Sequence, residues 1–195
     1  GTLLAAKGIA EGVENSNYLV DTTGADGKGA RFILTLYEKR VDVADLPFFF
    51  ALLDHLGERG CLVPRFIHDR EGQTLQTLCG RPACLIEFLS GVSVTQPTPA
   101  QARSTGAALG QLHRAAEDFA GTRPNALGLE GWHRLADACG DGFDQIAPGL
   151  GARVREELAF LDAHWPAQLD HCVIHADLFP DNVLMRGDEV GGLID

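Results

Sequence analysis

The chain has 195 residues, of which 45% are hydrophobic and 22% are charged, as is typical of a globular protein and not of a disordered chain. Its formal net charge is −11, and no basic stripe stands out, so we expect no nucleic acid partner. The densest apolar stretch, Leu46–Leu53, is too short to cross a bilayer, so we expect no membrane partner.

The cysteines and the first residues predict a cytoplasmic protein. The cysteines are odd in number, widely spaced and without a C-x-x-C pair: Cys61, Cys79, Cys84, Cys139 and Cys172. This pattern favours reduced thiols over a disulfide framework or a zinc site. Lys7 interrupts the first apolar run and no small-residue cleavage site follows, so we expect no signal peptide.

The first ninety residues are predicted to form a sheet with one helix. Alternation and turn residues predict strands at Asn17–Asp21, Arg31–Tyr37, Arg65–His68, Gln73–Leu78 and Ala83–Leu89. A helix is predicted after Asp45, with Pro47 in its first turn. Its spacing predicts one face made of Phe49, Leu52, Leu53 and Leu56.

The second half is predicted to be mainly helical. After a polar segment, Val92–Pro99, the sequence Thr98-Pro-Ala-Gln101 has the form of a capping box. The face of the following helix is predicted to hold Ala102, Gly106, Leu109, Leu112, Ala116 and Phe119. Later segments are predicted as helices at Trp132–Ala138 and Arg153–His164, and as strands at Cys172–Ile174, Val183–Met185 and Val190–Ile194. We therefore predict an α+β protein with lobes at residues 1–90 and 91–195.

The strongest chemical motif is His175-Ala-Asp-Leu-Phe-Pro-Asp-Asn182. It matches the kinase catalytic loop H-R-D-L-x-x-x-N except at Ala176. In that chemistry Asp177 orients and deprotonates an acceptor hydroxyl, Asn182 ligates Mg²⁺, and His175 supports the loop. The alternative is a polar turn between strands in which the aspartate caps backbone amides.

A second motif makes the catalytic interpretation stronger. Gly191-Gly-Leu-Ile-Asp195 is an apolar strand that ends in a carboxylate, where a kinase has its second Mg²⁺ ligand. A hairpin would bring Asn182 and Asp195 to the same end. The sequence thus predicts a catalytic loop at 175–182 and a metal-binding Asp195.

The motifs at residues 175–182 and 191–195 resemble those of the small-molecule kinases of the aminoglycoside phosphotransferase and choline kinase superfamily. Lys7–Leu19, Ile33–Arg40 and Asp45–Phe49 look like the ThrB-type homoserine kinases, and the similarity covers nearly all of the chain. The resemblance implies a protein-kinase-like two-lobe fold, with an antiparallel-sheet N-lobe and a mainly helical, incomplete C-lobe. It implies an enzyme that uses ATP and Mg²⁺ to phosphorylate the hydroxyl of L-homoserine in threonine biosynthesis, and it leaves the oligomeric state open. It also implies further chain at both ends, including helices that carry much of the acceptor site.

The nucleotide site is less clearly marked. A phosphate-covering turn is expected at Gly8–Asn17, with Gly12, Asn15, Ser16 and Asn17 as candidates. The segment does not satisfy G-x-G-x-x-G, and an ordinary hairpin turn is the alternative.

Kinases usually carry a lysine on the third strand that positions the α- and β-phosphates, and this lysine is missing here. Its position holds Thr35, and the next helix offers Phe49 where a glutamate is expected. Lys39 could reach round the strand end, although a solvated lysine is the alternative. Adenine is expected against Cys84–Leu89, which includes Glu87, and to be held mainly by backbone groups.

Two other functions stay open at this point. One is a kinase of the same fold that acts on an aminoglycoside, choline or methylthioribose. The other is a nucleotide-binding module without catalysis, which the missing lysine suggests.

Overall fold

The structure, a computed structural model, describes residues 1–11, 15–24, 26–38, 42–166, 168 and 171–194. In this part of the chain three strands come first, followed by a helix, two strands, four helices and two further strands. The strands are β1 (Thr2–Glu11), β2 (Asn15–Thr23), β3 (Gly29–Tyr37), β4 (Gln76–Leu78), β5 (Arg81–Glu87), β6 (Val183–Arg186) and β7 (Glu189–Leu193). The helices are α1 (Leu46–Glu58), α2 (Pro99–Ala116), α3 (Leu129–Cys139), α4 (Gly142–Ile146) and α5 (Leu150–His164). Internal contacts define two units, Gly1–Gly121 with Cys172–Asp195, and Thr122–His171. The division into lobes at residues 1–90 and 91–195 stays a prediction.

Strands β1 to β5 form one antiparallel sheet in the order β1-β2-β3-β5-β4. The register aligns one row across β1, β2, β3 and β5, namely Lys7, Leu19, Ile33 and Ile86, and a second row, namely Asn17, Thr35 and Cys84. Paired residues point to the same side of a sheet and the side-chain period is two, so both rows lie on one face. We name it the α1 face, because α1 packs on it.

Helix α1 connects this sheet face to the rest of the first unit. On the sheet side, Leu46 joins a buried cluster with Tyr37 and Cys84. On another side, Leu52 and Leu56 are buried among apolar residues of α2 and the β6–β7 hairpin. The hairpin therefore lies on the α1 side of the sheet.

The bounds of α1 agree with the predicted helix, but one predicted face residue is exposed. Pro47 lies in the first turn of the helix. Phe49, expected beside Leu52 on the buried face, is 38% exposed. Its ring makes an edge-to-face contact with Phe48, with ring centroids 5.4 Å apart. Phe48 in turn packs against the core of the first unit.

Strands β6 and β7 form the predicted hairpin. The linker between β5 and α2, residues 88–98, crosses this hairpin. The N–H of Val92 donates to the carbonyl of Met185 at 3.0 Å, and the reverse bond measures 2.9 Å. Arg186 Nε donates to the carbonyl of Ser90 at 2.9 Å. The linker is thus fixed to the hairpin by backbone bonds and one side-chain bond.

Helix α2 begins at the predicted capping box. The hydroxyl of Thr98 accepts from the N–H of Gln101 at 3.2 Å, and the Gln101 side chain accepts from the N–H of Thr98 at 2.9 Å. The predicted face is wrong in its first turns, because Gln101 is buried while Ala102 and Gly106 are exposed. The reason is a tertiary bond, in which Gln101 Nε2 donates to the carbonyl of Gly187 in the hairpin turn at 2.9 Å.

Two predicted strands form no ladder. Arg65–His68 contributes a single bridge, from Phe66 to Ile86, and Cys172–Ile174 is irregular. Cys172 in this segment is exposed. Apolar runs of three or four residues carry too little periodicity to separate a strand from an extended loop.

The second unit is helical. Helices α3 and α5 confirm the two predicted there, whereas the short α4 is not predicted. Trp132 and Trp165 pack edge to face, with ring centroids 5.6 Å apart, and His133 Nε2 lies 2.9 Å from Asp162 Oδ1. Across both units, no helix in the described residues is long and apolar enough to cross a membrane.

Candidate active site

The segment 175–182 makes two tight turns before β6. The N–H of Asp177 donates to the carbonyl of His175 at 2.8 Å, and the N–H of Phe179 donates to the carbonyl of Asp177 at 2.8 Å. Ala176, at the centre of the first turn, has φ 63°, in the left-handed region that a residue with a Cβ adopts at a cost. A three-residue turn with positive φ at its centre is rare and strained, and such strain clusters at functional sites.

The two residues predicted to carry the chemistry are in contact. Asn182 Nδ2 donates to the main-chain oxygen of Asp177 at 2.8 Å and lies 3.4 Å from its Oδ2. Because the amide nitrogen faces Asp177, Asn182 Oδ1 points away from it. Asn182 therefore orients the aspartate with one end of its amide and offers an oxygen ligand with the other.

Two contacts made by residues that follow Asp177 anchor this loop. Leu178 packs against the core that α1, α2 and the hairpin share. Ser93 Oγ, from the linker, donates to the carbonyl of Asp181 at 3.1 Å. The loop is thus attached to both the core and the linker, although half of its residues, including Asp177, are exposed.

His175 enters the loop half-buried. Its two ring nitrogens are enclosed, yet neither has a hydrogen-bond partner among the described residues. An enclosed polar atom without a partner destabilises a fold. A role of His175 in supporting the loop stays a prediction.

The predicted metal ligand Asp195 lies outside the described residues. The N–H of the preceding residue, Ile194, donates to the carbonyl of Asn182 at 2.9 Å, and Val183 pairs with Leu193. The hairpin thus brings the chain beside Asn182 one residue before Asp195. Within the described residues there is no group of three or more His, Cys, Asp or Glu that could hold a metal ion.

Two of the predicted nucleotide-binding residues lie on the α1 face. Asn17 Oδ1 accepts from the hydroxyl of Thr35 at 2.7 Å, and Thr35 is only 4% exposed. Asn15 pairs in register with Tyr37, and its Oδ1 is enclosed without a partner among the described residues. The missing strand lysine is therefore replaced by a neutral hydrogen-bonded pair.

Ser16 lies on the opposite face. Its hydroxyl donates to Glu38 Oε1 at 2.8 Å, and Arg81 NH1 bonds the same oxygen at 2.6 Å. The structure thus separates Ser16 from its neighbours Asn15 and Asn17 by the alternation of the strand. Gly12 and Lys39, the other candidates from this region, lie outside the described residues.

Glu87 ends β5, where adenine is expected. Its backbone N–H donates to the carbonyl of Arg65 at 2.8 Å, and its side chain is exposed. Because Glu87 pairs with Phe32, its side chain lies on the face opposite the α1 face. The N–H of Glu87 is thus already engaged within the fold.

A buried thiol and phenol pair lies on the α1 face, and the sequence motifs do not reveal it. Tyr37 Oη lies 3.2 Å from Cys84 Sγ. Burial raises the pKa of the Cys84 thiol to about 11 and also raises the pKa of Tyr37. Both groups are therefore neutral at physiological pH, and only the strand register could have indicated their proximity.

The backbone of Ala176 gives a prediction for stability. Ala176→Gly removes a left-handed strain of about 1–2 kcal/mol, which exceeds the extra unfolded-state entropy of glycine, about 0.5–1 kcal/mol. We expect the free energy of unfolding to rise by roughly 0.5–1 kcal/mol in urea titrations. Ala176→Val, with a β-branched side chain at the same φ, is expected to lower it. Equal losses in both variants would contradict the turn geometry.

A family model described as the phosphotransferase enzyme family matches residues 5–195. Curated relatives include homoserine kinases from Beijerinckia indica, at 51% identity over 195 residues, and from Azorhizobium caulinodans, at 53% over 195 residues. Each match covers 100% of this chain and 59% of the relative. The chain thus spans about three fifths of the length of these relatives.

Solved structures of other phosphotransferases share the fold. A spectinomycin phosphotransferase in complex with ADP and spectinomycin matches with a TM-score of 0.72 at 15% identity, over 99% of this chain and 63% of that one. An aminoglycoside phosphotransferase from Alicyclobacillus acidocaldarius matches with a TM-score of 0.59 at 17% identity, over 100% of this chain and 62% of that one. The predicted α+β, protein-kinase-like fold with an antiparallel sheet is confirmed.

Proposed function

The chain belongs to the phosphotransferase enzyme family, and we propose that the protein containing it is an ATP-dependent kinase that phosphorylates the side-chain hydroxyl of L-homoserine. The observation that carries this proposal is the contact between Asn182 and Asp177, at 2.8 Å from amide nitrogen to main-chain oxygen. The contact combines a carboxylate for the acceptor hydroxyl and an amide oxygen for a cation in one loop. Phosphoryl transfer depends on this combination.

Asp177 and Asn182 have different roles in the proposed reaction. The Asp177 carboxylate accepts the proton of the acceptor hydroxyl and aligns its oxygen with the γ-phosphate. Asn182 Nδ2 holds Asp177 in place, so the carboxylate needs little rearrangement when substrates bind. Such positioning accounts for most of the rate gain in phosphoryl transfer.

The donor atoms of Asn182 and Asp195 are of the chemical type that fits magnesium. Asn182 Oδ1 and the Asp195 carboxylate are hard oxygen donors, of the kind that Mg²⁺ prefers. When bound, Mg²⁺ supplies positive charge to the phosphate oxygens. The negative charge of the chain, −11, makes this local positive charge important for binding ATP.

The α1 face supplies the nucleotide site in this proposal. Leu19 and Ile33 form a half-buried apolar strip for the adenine. Asn17 and Thr35 form a polar row beside it. Since the N–H of Glu87 is engaged, the base is bound through backbone groups of Phe88 and Leu89.

We propose L-homoserine as the acceptor because of the curated relatives. The curated homoserine kinases match the entire chain at about half identity, whereas the aminoglycoside phosphotransferase structures match below one fifth. We place the reaction in the cytoplasm, since the described cysteines are free thiols and the sequence pattern favours a reducing compartment.

The test is ADP release by the intact protein with a panel of acceptors. L-homoserine should give saturable turnover, while its O-methyl ether, which lacks the hydroxyl, should give none. Faster turnover with kanamycin, choline or methylthioribose would overturn the proposal that L-homoserine is the acceptor. Binding of Mg-ATP with no ADP formed by any acceptor would favour a non-catalytic nucleotide module, the alternative that Thr35 at the lysine position supports.

A further inference from the structure

Lys7 on β1 is a cation on the α1 face. It pairs in register with Leu19, so the two side chains point to the same side of the sheet. Its side chain is exposed, and it makes no ion pair with any described residue. By contrast Lys28, in the turn between β2 and β3, lies 3.9 Å from Asp26.

The other cation on this face of the described strands is neutralised. Arg31 pairs with Asp21 in register, and its Nε donates to Asp21 Oδ1 at 2.8 Å. This hydrogen bond raises the pKa of Arg31. Its guanidinium carbon also lies 5.3 Å from the centroid of the Phe88 ring. Arg31 is therefore committed to partners, and Lys7 remains available for an anion.

The surface beside Lys7 is an apolar strip outside the cluster that α1 buries. Leu19 and Ile33 continue its row across β2 and β3, and both are half-buried. The cluster under α1 includes Ile86 and Cys84 but not these two residues. Helix α1 thus covers the β5 side of the face and leaves the β1–β2 side open.

The catalytic loop lies on the same side of the sheet as Lys7. Helix α1 packs on the α1 face through Leu46 and on the hairpin core through Leu52 and Leu56. Leu178, inside the loop, packs against that core. A nucleotide bound between the α1 face and the loop would therefore meet Lys7.

We propose that Lys7 binds the phosphate groups of the nucleotide and supplies the positive charge that Thr35 cannot. This inference rests on the proposed function. Thr35 is buried and its hydroxyl is bonded to Asn17, so it offers neither charge nor a free donor. A lysine side chain is long enough to extend over the neighbouring strand, about 4.8 Å away. The ammonium group then lies beside the polar row, while the base occupies the apolar strip.

The test compares nucleotides with and without phosphate. Lys7→Met in the intact protein should weaken ADP binding about 10- to 100-fold, as expected for one charge-assisted hydrogen bond. Adenosine binding should change by less than about twofold, because methionine keeps the length and apolar stem of the side chain. Lys7→Arg should restore most of the ADP affinity. Calorimetric titration of the wild type and both variants provides these dissociation constants.

A matched control is Lys28→Met, which removes a lysine from the turn between β2 and β3 and should leave both affinities unchanged. An equal loss of ADP and adenosine binding in Lys7→Met, or no loss of either, would overturn the inference. If Lys7→Met selectively loses ADP while the wild type fails to turn over homoserine, the phosphate role holds and the proposed acceptor fails. If the wild type binds neither nucleotide, both proposals fail.

Discussion

Replacing Asp177 with asparagine should lower the turnover of the intact protein by about 100- to 10,000-fold, the usual contribution of a general base. The dissociation constant of Mg-ATP should change by less than about threefold. Asparagine keeps the size of the side chain, and the bond from Asn182 goes mainly to the main-chain oxygen of Asp177, at 2.8 Å. The loop conformation is therefore retained while the proton acceptor is lost. Steady-state ADP release and calorimetric ATP titration measure the two effects.

Asp181→Asn is the matched control for this substitution. Asp181 lies in the same loop and is exposed, and its fixed contact is made by its backbone carbonyl, which accepts from Ser93. Its side chain has no assigned part in the reaction, so turnover should stay within about twofold of the wild type. Comparable losses in the two variants, or a parallel loss of ATP affinity in Asp177→Asn, would remove Asp177 from the role of base.

The contact between the two key residues of the 175–182 loop could be predicted from the sequence because it forms within a short stretch of chain. The catalytic role of this loop stays a prediction. The spacing from Asp177 to Asn182 is set by one loop, and the amide of Asn182 contacts Asp177 within that loop. The hairpin that follows is also local, since Val183 and Leu193 pair across a short turn. The capping box of α2 is read in the same way, from four consecutive residues.

The features that the sequence did not reveal depend on tertiary contacts. The buried side of α2 includes Gln101 because that side chain bonds the hairpin turn at Gly187, a contact between residues far apart in the chain. The pairing of Tyr37 with Cys84 depends on the neighbouring positions of β3 and β5. A single strand shows only that its side chains alternate, so Asn15, Ser16 and Asn17 read as one group until the sheet assigns Ser16 to the other face.

The linker after β5 contacts the β6–β7 hairpin, which begins beside Asn182, so it joins the proposed nucleotide site to the proposed catalytic loop. Ser90 accepts from Arg186 of β6, and Val92 pairs with Met185. Strand β6 thus begins beside Asn182 and contacts the linker at its other end. Displacing the linker from the hairpin should therefore disturb Asn182 and the ATP site together.

Gly191→Ala is the substitution that tests this coupling. A Cβ at Gly191 would lie 2.7 Å from the carbonyl oxygen of Ser90 and 3.0 Å from Arg186 Cγ. The carbonyl belongs to the backbone and cannot rotate away as a side chain can, so the linker must shift. Overpacking of this kind costs about 1–3 kcal/mol in the free energy of unfolding. With about 2–4 °C per kcal/mol for a chain of this size, the Tm should fall by several degrees, and turnover should fall with it.

The control for that clash is Gly106→Ala in α2. Gly106 is exposed, and a Cβ there meets no atom within 4 Å. Alanine in a helix interior is favoured over glycine by about 0.5–1 kcal/mol, so this variant should raise the Tm and keep its activity. Both variants add one methyl group. The added group clashes with the linker only at position 191. If both raise the Tm, the linker does not press on β7 as the structure indicates. If Gly191→Ala lowers the Tm but keeps full turnover, the linker contact stabilises the fold without coupling the two sites.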